Sequence, residues 1–349
     1  MRVLVAIAVL LLALGTQAQP MPRKFPWDQR PNKCFLPGAE EVANTPMCQA
    51  SDWPTFADTK HRVDMLMGND EAFDLLERAE REVGFSRERF PTGEYRFEAW
   101  FLSMDAFYRA WGARAKAIAT AWATRSKEGY APLAQAMAAH NEGRTVRGGG
   151  YANTVSPEQW EIYFRKLQEA DALLEAALPK LREMAPWHIV KLRLAFESSG
   201  KTASPGDAFK RAAEQWPDFL PLYTVTMFYS QPKWGGSWEE MDAVARHAMS
   251  KARTDKAGMY TLVYERHLRV NRDSSYTLRD TKVDWKLMKQ GFRELEDKMP
   301  WMTFGFAGLA CQMRDRDEAK RLYAVMDKRN PEAKPDPLDA CRVFATSSP

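Results

Sequence analysis

Beyond Leu14 the sequence has no apolar run approaching the ~20 residues that a membrane-spanning helix needs. This excludes stable membrane insertion of the chain that follows. Alternating runs rich in Val, Ile and Thr are almost absent, which excludes a substantial β-sheet. There is no large excess of charge of one sign: the formal net charge is +4, and acids and bases are interleaved, as in Glu77-Arg78-Ala79-Glu80-Arg81. That pattern is a solvated helix face rather than a polyanion-binding stripe, and it argues against nucleic acid as a partner. Histidine is scarce. The five present, His61, His140, His188, His247 and His267, show no HExxH or other close ligand spacing. No metal and no cofactor is expected.

What is present begins with Met1-Arg2, the apolar stretch Val3 to Leu14 and the small residues Thr16 and Ala18. This is the grammar of a secretory signal peptide with cleavage after Ala18, so the protein is expected to be periplasmic or secreted. Cys34, Cys48, Cys311 and Cys341 all follow that cut. An even count in an exported chain points to disulfides. Of the three connectivities, local pairing of Cys34 with Cys48 and of Cys311 with Cys341 is the economical one. In the chain-entropy description each closure stabilises by about 3–4 kcal/mol.

Three segments are expected: the signal peptide at 1–18, an arm at 19–57 and a helical domain at 58–349. The arm holds seven prolines and little periodicity. From residue 58 apolar positions recur at helical spacing, as in Trp160, Phe164, Leu167, Ala170, Leu174 and Ala177. Helix starts are marked by N-capping serines: Ser156 before Pro157-Glu158-Gln159, Ser204 before Pro205, and Ser237 before Trp238-Glu239-Glu240. Thr254-Asp255 is a further candidate start, and prolines at Pro186, Pro217 and Pro300 are expected to begin three more helices. The expected fold is all-α, an αα-hairpin superhelix.

The stretch FGFAGLACQMRDRDEAKRLYAVMDKRNP resembles a tetratricopeptide repeat through Ala307, Ala319, Tyr323, Met326 and Pro331. Thr303 and Ala310 depart from that pattern, and no strict period runs through the rest of the chain. The resemblance therefore implies a degenerate hairpin array. More broadly, RGGGYANTV followed by a long helix and then PKWGGSWEEM is similar to an uncharacterised bacterial family of secreted, tetratricopeptide-like helical proteins, over roughly residues 70–270. The resemblance implies fold and export, but no activity.

Two glycine-bearing loops are the candidate sites. In RGGGYANTVSPEQW the glycines serve either as a hinge between helices or, with Arg144, Arg147, Tyr151 and Asn153, as an anion or carboxylate site. No Gly-Lys-Ser/Thr follows, so this is not a phosphate loop. Gln231-Pro-Lys-Trp-Gly-Gly-Ser-Trp238 repeats the design with Lys233 and Trp234. Four helices between the loops would return the chain to the same end and place both on one rim. His140 is expected near a helix C-terminus, where a cation is favoured, with room to join the glycine loop. Most tryptophans, among them Trp100, Trp111 and Trp160, read as core.

Glu197-Ser198-Ser199-Gly200 looks a little like the Glu-Ser stretch of lytic transglycosylases, which implies Glu197 as a general acid on cell-wall glycan. The Gly-Leu-Met-Gln expected after it is missing, and the simpler reading is a solvated helix end. The functional expectation is a peptide- or protein-binding module of the cell envelope, with a glycan-active enzyme as the alternative.

Overall fold

The computed structural model describes residues 86–90, 93–110, 112–125, 131–177, 179–270, 276–329, 331 and 340–346. Cys34, Cys48, the signal segment, the arm and Trp111 lie outside the described residues. Among those described there are 13 α-helices and no strand, in accord with an all-α helical-hairpin fold. They are α1 (Arg96–Ala110), α2 (Gly112–Arg125), α3 (Ala131–Arg147), α4 (Pro157–Ala176), α5 (Ala185–Glu197), α6 (Pro205–Gln215) and α7 (Leu220–Tyr229). There follow α8 (Trp238–Lys251), α9 (Lys256–Val270), α10 (Trp285–Leu295), α11 (Thr303–Gln312), α12 (Arg316–Arg329) and α13 (Ala340–Thr346).

The expected caps are in place. Ser156 and Ser237 each accept from the backbone N–H three residues on, and Gln159 and Glu240 reach back to the cap N–H. Each pair satisfies two helix N–H groups that would otherwise lack partners. Ser204 caps α6 by accepting from the Asp207 N–H. Two proline expectations need correction. The helix after Pro217 begins only at Leu220, with Pro221 in its first turn. Pro300 opens a short 3-10 turn, Pro300–Met302, before α11.

Neighbouring helices pack as successive hairpins: α2 on α3, α3 on α4, α5 on α6, α8 on α9, α9 on α10 and α11 on α12. α7 lies more centrally, against α5, α8 and α9. The α4 stripe is buried at Leu167, Ala170 and Leu174, while Trp160 and Phe164 at its start are only half-buried. Trp100 is fully buried, and the indoles of Trp187 and Trp216 donate to the carbonyls of Leu174 and Glu183 at 3.1 and 2.9 Å. The Trp187 and Trp216 N–H groups thus find acceptors near helix ends, where carbonyls are left over, whereas the buried Trp100 N–H has no acceptor among the described residues.

In the last full hairpin, Ala307 and Ala319 are buried at the α11–α12 contact and Tyr323 is buried beside them. Cys311 and Cys341 form a disulfide, with Cα atoms 5.8 Å apart, that ties α11 to α13. No helix among the described residues is long and apolar enough to cross a membrane.

Candidate functional site

Four helices, α4 to α7, separate the glycine loop at 148–156 from the loop at 230–237. The C-termini of α3, α5 and α7 and the N-termini of α4, α6 and α8 therefore gather at one rim. The side chain of Glu197, the last residue of α5, links α5 to α3, α4 and α7.

Glu197 is not a solvated helix end, and that expectation is corrected: its side chain is 8 % exposed. Both carboxylate oxygens are saturated. Oε2 accepts from His140 Nε2–H of α3 at 2.8 Å and from the Tyr163 hydroxyl of α4 at 2.6 Å. Oε1 accepts from the Tyr229 hydroxyl of α7 and from Arg144 Nη1–H of α3 at 3.3 Å. Burial alone would raise the carboxyl pKa. The charge of His140 and its hydrogen bond, then Arg144 and the Tyr163 hydroxyl, outweigh burial and hold it far below the ordinary 4.5. Burial and the same carboxylate push both tyrosines well above 10.

Local sequence explains how this centre is assembled. His140 and Arg144 are four residues apart on α3, so they share a face one turn apart. Gly143, between them, lets α4 approach closely: a Cβ there would meet Lys166 Cβ at 2.9 Å and the Tyr163 ring at 3.2 Å. Phe196 stacks on the Tyr229 ring at 4.7 Å, which positions the Tyr229 hydroxyl for the neighbouring Glu197. Ser198 is also committed to structure. It is buried and its hydroxyl accepts from the Thr202 N–H at 3.2 Å across the turn.

A carboxyl so strongly held in its ionised form, with four donors and little access to solvent, is not a proton donor at neutral pH. A general acid needs the opposite arrangement, with its pKa raised toward the working pH. The glycan-active role imagined for Glu197 therefore has no support in its surroundings.

The expected site residues occupy the same rim with different degrees of freedom. Arg144 is half-exposed above Glu197. Arg147 Nη1 donates to the carbonyls of Gly148 and Gly150 at 2.9 and 3.3 Å, and its guanidinium lies 5.2 Å from the Trp160 ring centre. Part of its hydrogen bonding is thus spent on the loop itself. Gly148 has φ +73° and donates its N–H to the Arg144 carbonyl at 2.9 Å, which closes α3 in the left-handed conformation that glycine favours. Its N–H is therefore engaged in the helix cap rather than presented to an anion.

Tyr151 is 84 % exposed and Asn153 is exposed in a short 3-10 turn. On the other loop Trp234 is 48 % exposed and packs on Phe228, with ring centres 5.7 Å apart. Lys233 Nζ lies 5.8 Å from the Trp234 ring centre. Phe228 in turn meets Tyr229 at 5.0 Å. A continuous line of contacts thus runs from Trp234 through Phe228, Tyr229 and Glu197 to Tyr163, Trp160 and Arg147. Asn153 has no place in this line.

The sequence places Phe164 only on the apolar helix stripe and gives no sign of Tyr163, Phe228 and Tyr229 at the rim, or of the bond between His140 and Glu197. The available signal was the pairing of His140 with Arg144 on one helical face beside a small Gly143.

The chain matches no family model. Nor does any curated protein or solved structure match it. The resemblances noted above therefore stand on the residues that carry them. Among the described residues no group of three His, Cys, Asp or Glu side chains is arranged to hold a metal ion.

Proposed function

We propose that the protein is exported and binds a peptide or protein partner in the cell envelope through the rim bearing the two glycine loops. One observation carries this reading. Among the described residues only four large hydrophobic side chains are exposed, and two of them, Tyr151 and Trp234, stand on these two loops. Exposed aromatics beside arginine and lysine are the composition of a recognition surface, since rings bury large areas and cations add direction. The half-exposed Arg144, the stacked Arg147 and Lys233 supply those cations. Export is supported by the signal-like first 18 residues and by the Cys311–Cys341 pair. The hairpin array acts in this reading as a superhelical scaffold that holds the loops apart at fixed spacing.

The test is site-specific photo-cross-linking in the cell envelope. A benzophenone side chain replacing Tyr151 or Trp234 is expected to capture the same partner, while one replacing Glu183, at the opposite end of α5, captures none. Equal adducts from all three positions, or none from either loop, would overturn the reading.

A further inference from the structure

We infer that the partner presents an acidic peptide segment, and that Arg144, Arg147 and Lys201 read its carboxylates; this rests on the rim being the binding surface. The observation is a ladder of rings with a cation at each end. Lys201, in the turn after α5, places Nζ 4.2 Å from the Phe164 ring centre. Phe164 stacks on Trp160, with centres 5.4 Å apart and planes 19° apart. Arg147 closes the other end over Trp160. Tyr163 lies against both rings at 5.7 and 5.6 Å and donates to Glu197, which anchors the third cation, Arg144.

The charges at this edge do not cancel. Among the described residues neither Lys201 nor Arg147 has an ion pair, and Glu158 and Glu161, on the first turns of α4, pair with neither. Arg144 shares the one buried carboxylate with His140 and two hydroxyl donors. An arriving carboxylate therefore meets two cations without an ion pair and a third, Arg144, whose negative partner is buried and already saturated. The cations are also pre-placed. A side chain resting on a ring or on a buried acceptor has already lost much of its rotamer freedom, so less is lost on binding. The rings between them offer flat apolar contact to the aliphatic stems of the same segment.

A long polyanion fits less well. Glu239 and Glu240, both exposed, follow on the adjoining start of α8 and would repel a phosphate chain continuing along the rim, whereas Asp242 is already paired with Arg246.

The experiment uses the mature chain, residues 19–349, and two fluorescein-labelled peptides, each with one tryptophan flanked by glutamates or by glutamines. Fluorescence anisotropy gives each Kd at low and at physiological salt. The glutamate peptide is expected to bind about tenfold more tightly, and that preference is expected to shrink as salt rises. Lys201→Ala is expected to weaken the glutamate peptide about two- to fivefold and Lys201→Glu to weaken it further, with unchanged melting temperature. Arg147→Ala is expected to act similarly, but Lys201 is the cleaner probe because its side chain makes no hydrogen bond to its loop; only its backbone N–H does, to the Ser198 carbonyl.

Equal affinity for the two peptides, or no effect of Lys201→Glu, would overturn the inference. Loss of both peptides on Trp234→Ala would in that case leave the rim as a binding surface without acidic preference. If neither peptide binds while cross-linking at Tyr151 still captures a partner, the acidic segment alone is refuted; if cross-linking fails too, both readings fall. A single-stranded oligonucleotide competing as well as the glutamate peptide would assign the cations to a nucleic acid instead.

Discussion

Glu197 and Glu98 are both glutamates buried among helices, yet their surroundings drive them in opposite directions. Glu197 accepts from two hydroxyls, a histidine and an arginine, and is held ionised. Glu98 on α1 is 2 % exposed, and its Oε1 accepts from Arg266 of α9 at 2.5 Å. Burial raises its carboxyl pKa, and the attraction of Arg266 does not fully offset this. Depth alone therefore decides neither the charge of a buried acid nor its role. The number and kind of donors do.

The strongest way to break this comparison is Glu197→Gln. It removes the charge from His140 and Arg144 and sets an amide N–H₂ against donors. We expect a loss of about 3–5 kcal/mol, the usual cost of breaking a buried charged network, read as a lower urea midpoint. A loss under about 1 kcal/mol would mean that the saturated carboxylate is not what holds α3, α4, α5 and α7 together. Tyr229→Phe should cost less, about 1.5–3 kcal/mol, as one hydrogen bond to a charged acceptor. Glu98→Gln should cost about 1 kcal/mol or less, because the amide oxygen can still accept from Arg266 and the carboxyl is already pushed toward its neutral form.

The pH dependence of these two variants should differ in sign. Glu197 has a depressed folded pKa, so its stabilisation is present above the ordinary 4.5 and is lost as pH falls toward the folded value. The stability gap between wild type and Glu197→Gln should therefore narrow below about pH 4.5. Glu98 has a raised folded pKa. Its favourable contribution is complete below 4.5 and is lost as pH rises through the folded value. Relative to Glu98→Gln, wild type should gain stability on acidification. Gaps that move in parallel across denaturation curves from neutral to acid would contradict the contrast. The smallest effect is expected from Arg144→Ala. Its side chain is 48 % exposed, so solvent screens the pair and the cost should stay below about 1 kcal/mol.

The helix starts at Ser156, Ser204 and Ser237 were readable because a cap and its partner lie three residues apart. The same local grammar placed two loops with four helices between them. Glu197 was singled out through its neighbour Ser198, which turns out to hold a turn. Its real partners lie 57, 53, 34 and 32 positions away, and no short-range pattern connects them. Arg147 was legible as a charge but not as a brace for its own glycine loop, since that depends on how the chain folds back after α3. The caps belong to secondary structure, whereas the centre belongs to packing.

One oxygen atom has a wider consequence. Arg144 and the Tyr229 hydroxyl both donate to Oε1 of Glu197. Arg144 sits one turn before the first glycine loop; Tyr229 touches Phe228, which carries Trp234 of the second. A ligand that draws Arg144 outward leaves more of that oxygen to Tyr229, and so changes how firmly the Trp234 side of the rim is held. If the rim binds its partner through both loops, occupation of one is expected to alter the affinity of the other, with an equal reverse effect by thermodynamic reciprocity. In a double-mutant cycle, Arg144→Ala and Trp234→Ala should show a coupling energy in partner binding that Tyr229→Phe abolishes.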